Sequence, residues 1–301
     1  MSQYHRLLLI ADGQMRHSPA LQRAAALAQA CGATLHILVL LEPVTALTLL
    51  APSIQEQTRE YYLQAQRAWL KDEAGLLRSK GLQVTTEVLW SKQPLQDILQ
   101  QAQAQRADLL IKDLQHEPAL KRAFITPLDW HLLRECPLPL HLVSAHGQPL
   151  LRKVLAAVDC SQQDTDEGAS LSLNERIIQA ASALALHCNA ELHLVHSYDP
   201  SPLYLAEAGS ATALCADLLD ELRSAQESAF SALAERHGVA LECRHFIIGQ
   251  PIRALADFAA YHQVDVLVLG RVQRKGLDKL IGSTTEHLLY RAPCSILAIA
   301  L

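Results

Sequence analysis

The sequence predicts an α/β protein made of two tandem, doubly wound domains, each built on a five-stranded parallel sheet of flavodoxin-like order 3-2-1-4-5. Three observations carry this. The chain repeats itself: Ala33-Thr-Leu-His-Ile-Leu-Val-Leu-Leu-Glu-Pro43 returns as Ala190-Glu-Leu-His-Leu-Val-His-Ser-Tyr-Asp-Pro200, and Lys92-Gln93-Pro94 and Asp108 return in the same register as Gly249-Gln250-Pro251 and Asp265. Each copy alternates short Leu- or Val-rich runs with amphipathic stretches, the pattern of βα units around a parallel sheet. At 301 residues the chain also exceeds the usual size of a single core.

In the first copy the strands fall at Leu7–Ala11, Leu35–Leu41, Val84–Leu89, Leu109–Lys112 and Leu140–Val143. In the second they fall at Val154–Val158, Leu192–His196, Leu241–Ile247, Val266–Leu269 and Ser295–Ala300. The longest helix of each copy covers 54–80 and 211–237 and closes at Gly81 and Gly238, the residue type that tolerates a left-handed cap. Between the third and fourth strands, Leu95, Ile98, Leu99 and Ala102, and then Ile252, Leu255, Ala256 and Ala259, mark one helix face. Pro94 and Pro251 open those helices, where a missing N–H costs nothing. Later the register shortens by one residue, pairing His131-Leu-Leu133 with His287-Leu-Leu289 and Pro137 with Pro293. His-Gly-Gln-Pro within 145–152 marks a linker, giving domains at 1–146 and 152–301.

Composition excludes several classes. A net charge of −5 argues against holding nucleic acid or an anionic membrane by bulk electrostatics. Seven scattered cysteines, with no Cys-x-x-Cys and no zinc-finger spacing, fit a reduced cytoplasmic protein without a metal site. The apolar run near the N-terminus is too short for a signal segment, and no stretch is long enough to span a membrane. No Gly-x-Ser-x-Gly elbow announces a hydrolase.

In a doubly wound sheet the ligand crevice lies beyond the strand carboxyl ends, where strand order reverses between strands one and four. Asp12 in the first copy, and Val158 and Asp159 in the second, close strand one; Lys112-Asp113 and Gly270-Arg271 close strand four. The second copy continues Arg271-Val-Gln273-Arg-Lys-Gly276-Leu-Asp-Lys-Leu-Ile-Gly282-Ser283-Thr284 before its last helix. Glycines there would let backbone N–H groups approach an anion, and Ser283 and Thr284 sit where a helix N-terminus offers donors and a favourable dipole. Arg271, Arg274, Lys275 and Lys279 add local positive charge. The plainer alternative is that the glycines make turns, Ser283 caps the helix and the cations are solvated. The first copy lacks these glycines, carries Asp113 and Glu117, which would repel phosphate, and has Thr126-Pro127 as a helix start, so it looks disabled for nucleotide.

These features, with the duplication, resemble the universal stress protein family, whose domain has a nucleotide-hydrolase-like doubly wound fold. In the family's nucleotide-binding branch the signature after strand four is Gly-x2-Gly-x9-Gly-(Ser/Thr), and an Asp ending strand one contacts adenine. Asp159, Gly270, Gly282 and Ser283 match; Gln273 replaces the second glycine and the spacing is one residue short. Ile111-Lys-Asp-Leu-Gln-His116 and Phe124-Ile-Thr-Pro-Leu-Asp-Trp-His-Leu-Leu-Arg-Glu-Cys-Pro137 resemble the tandem-domain members. The resemblance implies a cytoplasmic, non-enzymatic stress-response protein linked to survival of DNA damage and to motility and adhesion behaviour. It also implies an internal pseudo-dimer pairing 138–144 with 294–300.

The leading expectation is therefore a small-ligand binder without turnover, using Val158, Asp159, Gly270, Arg271, Gln273, Gly276, Gly282, Ser283 and Thr284. The ligand would be ATP or another nucleotide, or an apolar molecule if loops 43–53 and 198–210, with Leu47, Leu49, Leu50, Leu203, Tyr204 and Leu205, cover a greasy cleft. One rival is a slow ATPase or autophosphorylating protein with Ser283 or Thr284 as acceptor; another is a pure interaction scaffold with vestigial pockets. His36 and His193, and His131 and His287, are equivalent pairs that suit structural roles. Trp130 suits packing, and Cys160 suits an inert small residue more than a redox-sensitive thiol.

Overall fold

A computed structural model describes residues 4–43, 49–114, 128–161, 172–200, 216–271, 285, 288–289, 291 and 293–300. The chain divides into two compact units, Met1–Leu150 and Leu151–Leu301.

In the first unit the strands are β1 (Arg6–Ala11), β2 (Thr34–Leu41), β3 (Val84–Trp90), β4 (Leu109–Asp113) and β5 (Leu140–Val143). They run in the order β3-β2-β1-β4-β5, and every recorded pairing is parallel. In the second unit β6 (Lys153–Ala157), β7 (Glu191–Tyr198), β8 (Arg244–Ile248), β9 (Val266–Arg271) and β10 (Ser295–Ala300) repeat the pattern as β8-β7-β6-β9-β10. The central strands are apolar on both faces, as a sheet covered by helices on both sides requires: Leu7, Leu8 and Leu9, and Val154, Leu155 and Ala156, are all buried. One expected strand is shortened, because Leu241–Cys243 form a 3-10 turn before β8 begins at Arg244.

The helices are α1 (Pro19–Cys31), α2 (Pro52–Ser79), α3 (Pro94–Ala104) and α4 (Leu128–Glu135) in the first unit. Those of the second are α5 (Leu173–Cys188), α6 (Ala216–Arg236) and α7 (Pro251–Tyr261). Their ends follow local chemistry that both copies share. Ser18 and Ser172 accept from the backbone N–H groups of Leu21 and Glu175, capping α1 and α5. Gly32 and Asn189 end the same two helices in the left-handed conformation, which these residue types adopt at low cost. The repeated aspartates have one job. Asp108 Oδ2 accepts from the N–H groups of His5 and Arg6, and Asp265 Oδ2 from those of Arg152 and Lys153, so each carboxylate ties the start of strand one to the start of strand four.

His36 and His193 sit at the starts of β2 and β7. His36 is buried, with Nδ1 2.8 Å from Thr85 Oγ1, and burial holds its pKa below the ordinary imidazole value. His193 has entered a larger cluster. Its Nδ1 lies 3.0 Å from His245 Nε2, the two rings are stacked at 5.2 Å, and Phe258 and His262 of the α7 end close on His245 at 4.8 and 5.7 Å. Lys153 Nζ donates to the His262 carbonyl nearby. His131 instead makes a surface pair with Glu135, and Trp130 is half-buried beneath the Arg134 guanidinium.

Burial, then the neighbouring His193, His262 and Lys153, push the His245 pKa down to about 4. An unfolded histidine titrates near 6.5, so between these values the unfolded chain binds the extra proton. The second unit should hold this contribution fully above about pH 6.5 and lose it as pH falls toward 4. Urea midpoints measured at descending pH should decline over that window, and His245→Phe should flatten the decline; an unchanged slope in the variant would contradict the assignment.

Candidate functional site

The crevices at the strand-order reversal differ between the copies. In the first unit β4 ends in Lys112 and Asp113, both buried. Asp113 Oδ1 accepts from the Ala20 N–H in the first turn of α1, so the chain's own carboxylate occupies the position at a helix N-terminus where a ligand anion would bind. Burial raises the Asp113 pKa, against the opposing pull of the Ser18 hydroxyl, the Ala20 N–H and the Lys112 ammonium. Lys112 Nζ donates to the Asp113 carbonyl at 3.0 Å and pairs with buried Asp129 of α4 at 2.9 Å.

In the second unit the position equivalent to Asp113 is Gly270, and the strand runs two residues further than the sequence suggests. A Cβ on Gly270 would lie 2.6 Å from Leu173 Cδ2 and 3.0 Å from Ile177 Cδ1. A side chain at 270 would therefore have to displace Leu173 and Ile177 where α5 packs on β9; the glycine lies within the strand and does not form a turn. Beside this contact a cavity of about 520 Å³ opens above the ends of β6, β7 and β9. Its apolar wall includes Leu173, Ile177, Leu255 and Leu269, and its polar groups include Asp159, Asn174, His196 and Gln226.

Each polar group is placed by local structure. Asp159 follows β6, is exposed, and accepts the Ser161 N–H at Oδ1; Asp12 makes the same turn with Gln14 in the first unit. Asn174, in the first turn of α5, clasps Asp159 with both ends of its amide, accepting the Asp159 N–H at 2.9 Å and donating to the Asp159 carbonyl at 2.7 Å. His196 of β7 is 2% exposed, bonded by Nδ1 to the Val158 carbonyl and by Nε2 to Gln226 of α6. Thr285 donates its hydroxyl to the Gly270 carbonyl at 3.0 Å.

Of the residues singled out in the sequence, Val158, Asp159 and Gly270 come together around this cavity. Arg271 is buried within β9, in register with Ala300 of β10, and is absent from the cavity wall. Gln273, Gly276, Gly282, Ser283 and Thr284 lie outside the described residues, as do Glu117, Thr126-Pro127, Leu47, Leu203, Tyr204, Leu205 and His287. Both flanks of the glycine-bearing segment, Gly270 and Thr285, line the cavity. Leu49 and Leu50 are exposed, at 88% and 42%. Sequence reasoning missed Asn174, His196 and Gln226. For His196 a signal existed: it stands where the first copy has Val39, a polar residue at a position the strand pattern makes apolar.

Substitutions in each unit test the contrast. Gly270→Ala should lower stability by about 1–3 kcal/mol through overpacking against α5. Lys112→Met should cost about 3 kcal/mol by taking the ammonium away from the buried Asp129 carboxylate, and Asp129→Leu in the same chain should recover much of the loss. Urea denaturation reads both; a neutral Gly270→Ala would contradict the close crossing, and additive losses at 112 and 129 would contradict the ion pair.

Comparison with known proteins follows the same outline. The profile of the universal stress protein family matches residues 3–144 and again 151–300. Universal stress protein E of Escherichia coli K12 is 28% identical over 99% of this chain and 95% of its own length, and that of Salmonella typhi is 29% identical over the same shares. Protein PA1789 of Pseudomonas aeruginosa PAO1, whose crystal structure is described as that of a functionally unknown protein, superposes with a TM-score of 0.75 at 26% identity, covering 99% of this chain and 94% of that one. The duplicated sheet, the shared strand order and these matches have one conclusion: the chain belongs to the universal stress protein family and carries two tandem copies of its domain.

Proposed function

We propose that this chain is a cytoplasmic, non-catalytic stress-response protein that binds one small ligand of nucleoside or nucleotide class in its second unit, with the first unit as scaffold. The observation that carries the reading is the unequal end of strand four. Asp113 fills its own helix terminus in the first unit, whereas Gly270 borders a 520 Å³ cavity in the second. That volume suits a ligand of this size, and the wall combines apolar side chains with a few convergent polar groups. Asp159 stands at the end of strand one, where the family's nucleotide-binding branch meets adenine, and the segment bearing Gly276, Gly282, Ser283 and Thr284 leaves and re-enters beside the cavity at Gly270 and Thr285.

A role in surviving stress and DNA damage, and an internal pseudo-dimer formed through 138–144 and 294–300, belong to the same reading and rest on the family resemblance. No membrane span enters it; among the described residues no helix is long and apolar enough to cross a bilayer.

Native mass spectrometry of freshly purified full-length protein should show one retained small molecule per chain, or none with a thermal unfolding temperature that rises on adding adenosine, AMP or ATP. Ligand at 100 times its Kd stabilises by about 2.7 kcal/mol, a readily measured shift. A bound fatty acid, or no adduct and no response to any nucleoside or nucleotide, would overturn the reading; the second outcome would favour the scaffold alternative. Release of phosphate from Mg-ATP that is lost in Ser283→Ala would overturn the non-catalytic part alone.

A further inference from the structure

Aligning the two copies sets His196 against Val39 and Gln226 against Trp69. In the first unit both positions are buried and apolar, Val39 at 0% and Trp69 at 8% exposure. In the second they carry polar side chains that meet at 3.0 Å on the cavity wall. The exchange trades the bulk of Val39 and of Trp69, whose indole N–H is buried, for a hydrogen bond between His196 and half-buried Gln226, so the second unit gives up packing and gains a polar pair that faces the cavity.

The surroundings of the ring show what the exchange provides. Nδ1 lies 3.2 Å from the Val158 carbonyl and 3.4 Å from the Cys160 N–H. A ring protonated at Nδ1 donates to the carbonyl and presents Nε2 as an acceptor; the other tautomer accepts from Cys160 and presents Nε2–H as a donor. Either tautomer is therefore satisfied on the backbone side. Gln226 can match both, since rotating its amide exchanges oxygen for NH2. Phe230 and Phe246 pack around the imidazole with centroids 6.2 and 5.4 Å away. The ring is held in place while its outward nitrogen keeps a choice of polarity, and Gln226, half-buried on α6, is the partner that can be exchanged.

We propose that His196 is the specificity-determining residue of this crevice: Gln226 yields its place at Nε2 to an in-plane donor or acceptor of the ligand. The crevice then selects planar nitrogen heterocycles of the nucleobase class over aliphatic chains. This rests on the binding reading above and adds which side chain recognises the ligand, and how.

The test uses full-length protein labelled with 15N at histidine and titrated with adenosine, inosine and decanoate. Adenosine offers a ring acceptor beside an amino donor; inosine offers the reverse. The His196 ring 15N shifts should move in opposite senses for the two nucleosides and stay unmoved with decanoate. The double variant His196→Val, Gln226→Trp, which installs the first copy's pair, should weaken nucleoside affinity at least about tenfold. His196→Gln, which keeps a donor and an acceptor, should fall between. If both nucleosides bind wild type without moving the His196 nitrogens, and the variants bind within about twofold, His196 does not read the ligand although the cavity binds one. If wild type binds neither nucleoside, the binding reading itself falls, and this inference with it.

Discussion

At the carboxyl end of the fourth strand, the side chain in one position governs what the first helix of each unit can do. A helix N-terminus presents N–H groups with no partner inside the helix, and something has to satisfy them. In the first unit Asp113 reaches across from β4 to Ala20, and the buried Lys112–Asp129 pair lies beside it. The helix is anchored and its anion site is occupied by the protein. In the second unit Gly270 has no side chain to send, and Leu173 and Ile177 of α5 move into the vacated volume. Helix and strand still pack, but through apolar contact, while the helix terminus is held by Ser172 and the adjoining turn by Asn174.

The other differences between the copies are consistent with this one. A crevice left open needs polar groups that are satisfied without a ligand. Asn174 is satisfied by the backbone of Asp159, Thr285 by the carbonyl of Gly270, and His196 by Val158 and Gln226. Buried polar groups left unpaired cost one to several kcal/mol each, so such networks persist only when closed. Of these bonds, the one between His196 and Gln226 joins two side chains, and a ligand can replace it without unpairing the backbone. Away from the crevice the copies keep the same fastenings, from the Ser18 and Ser172 caps to the Asp108 and Asp265 staples. Duplication has kept what holds the sheet and changed what surrounds its switch point.

Much of the fold was legible in the sequence because its signals are periodic or local. The repeated strands, the Pro94 and Pro251 helix starts and the paired aspartates could be found by register alone. The 3-10 turn at Leu241–Cys243 could not, since Leu-Glu-Cys-Arg-His-Phe alternates as well as a strand does. At the site, Val158, Asp159 and Gly270 were legible as strand ends. Gly270 was legible as a glycine but not for its reason, which is a helix crossing set by tertiary packing. Arg271 looked like surface charge and is buried, because the strand continues through it. Asn174 escaped notice because the chain between strand one and its helix differs in length between the copies, so no register pointed to it. His196 had a visible counterpart in Val39, yet its meaning depends on Gln226, which only the fold brings to it.

Unequal copies are the central claim, and amide hydrogen exchange on the full chain tests it directly, with and without saturating adenosine. Protection on binding should concentrate in peptides covering 154–161, 173–178 and 194–199, with 7–14, 18–24 and 109–114 unchanged. Protection falling on the first-unit peptides, or equally on both sets, would contradict an asymmetric pair.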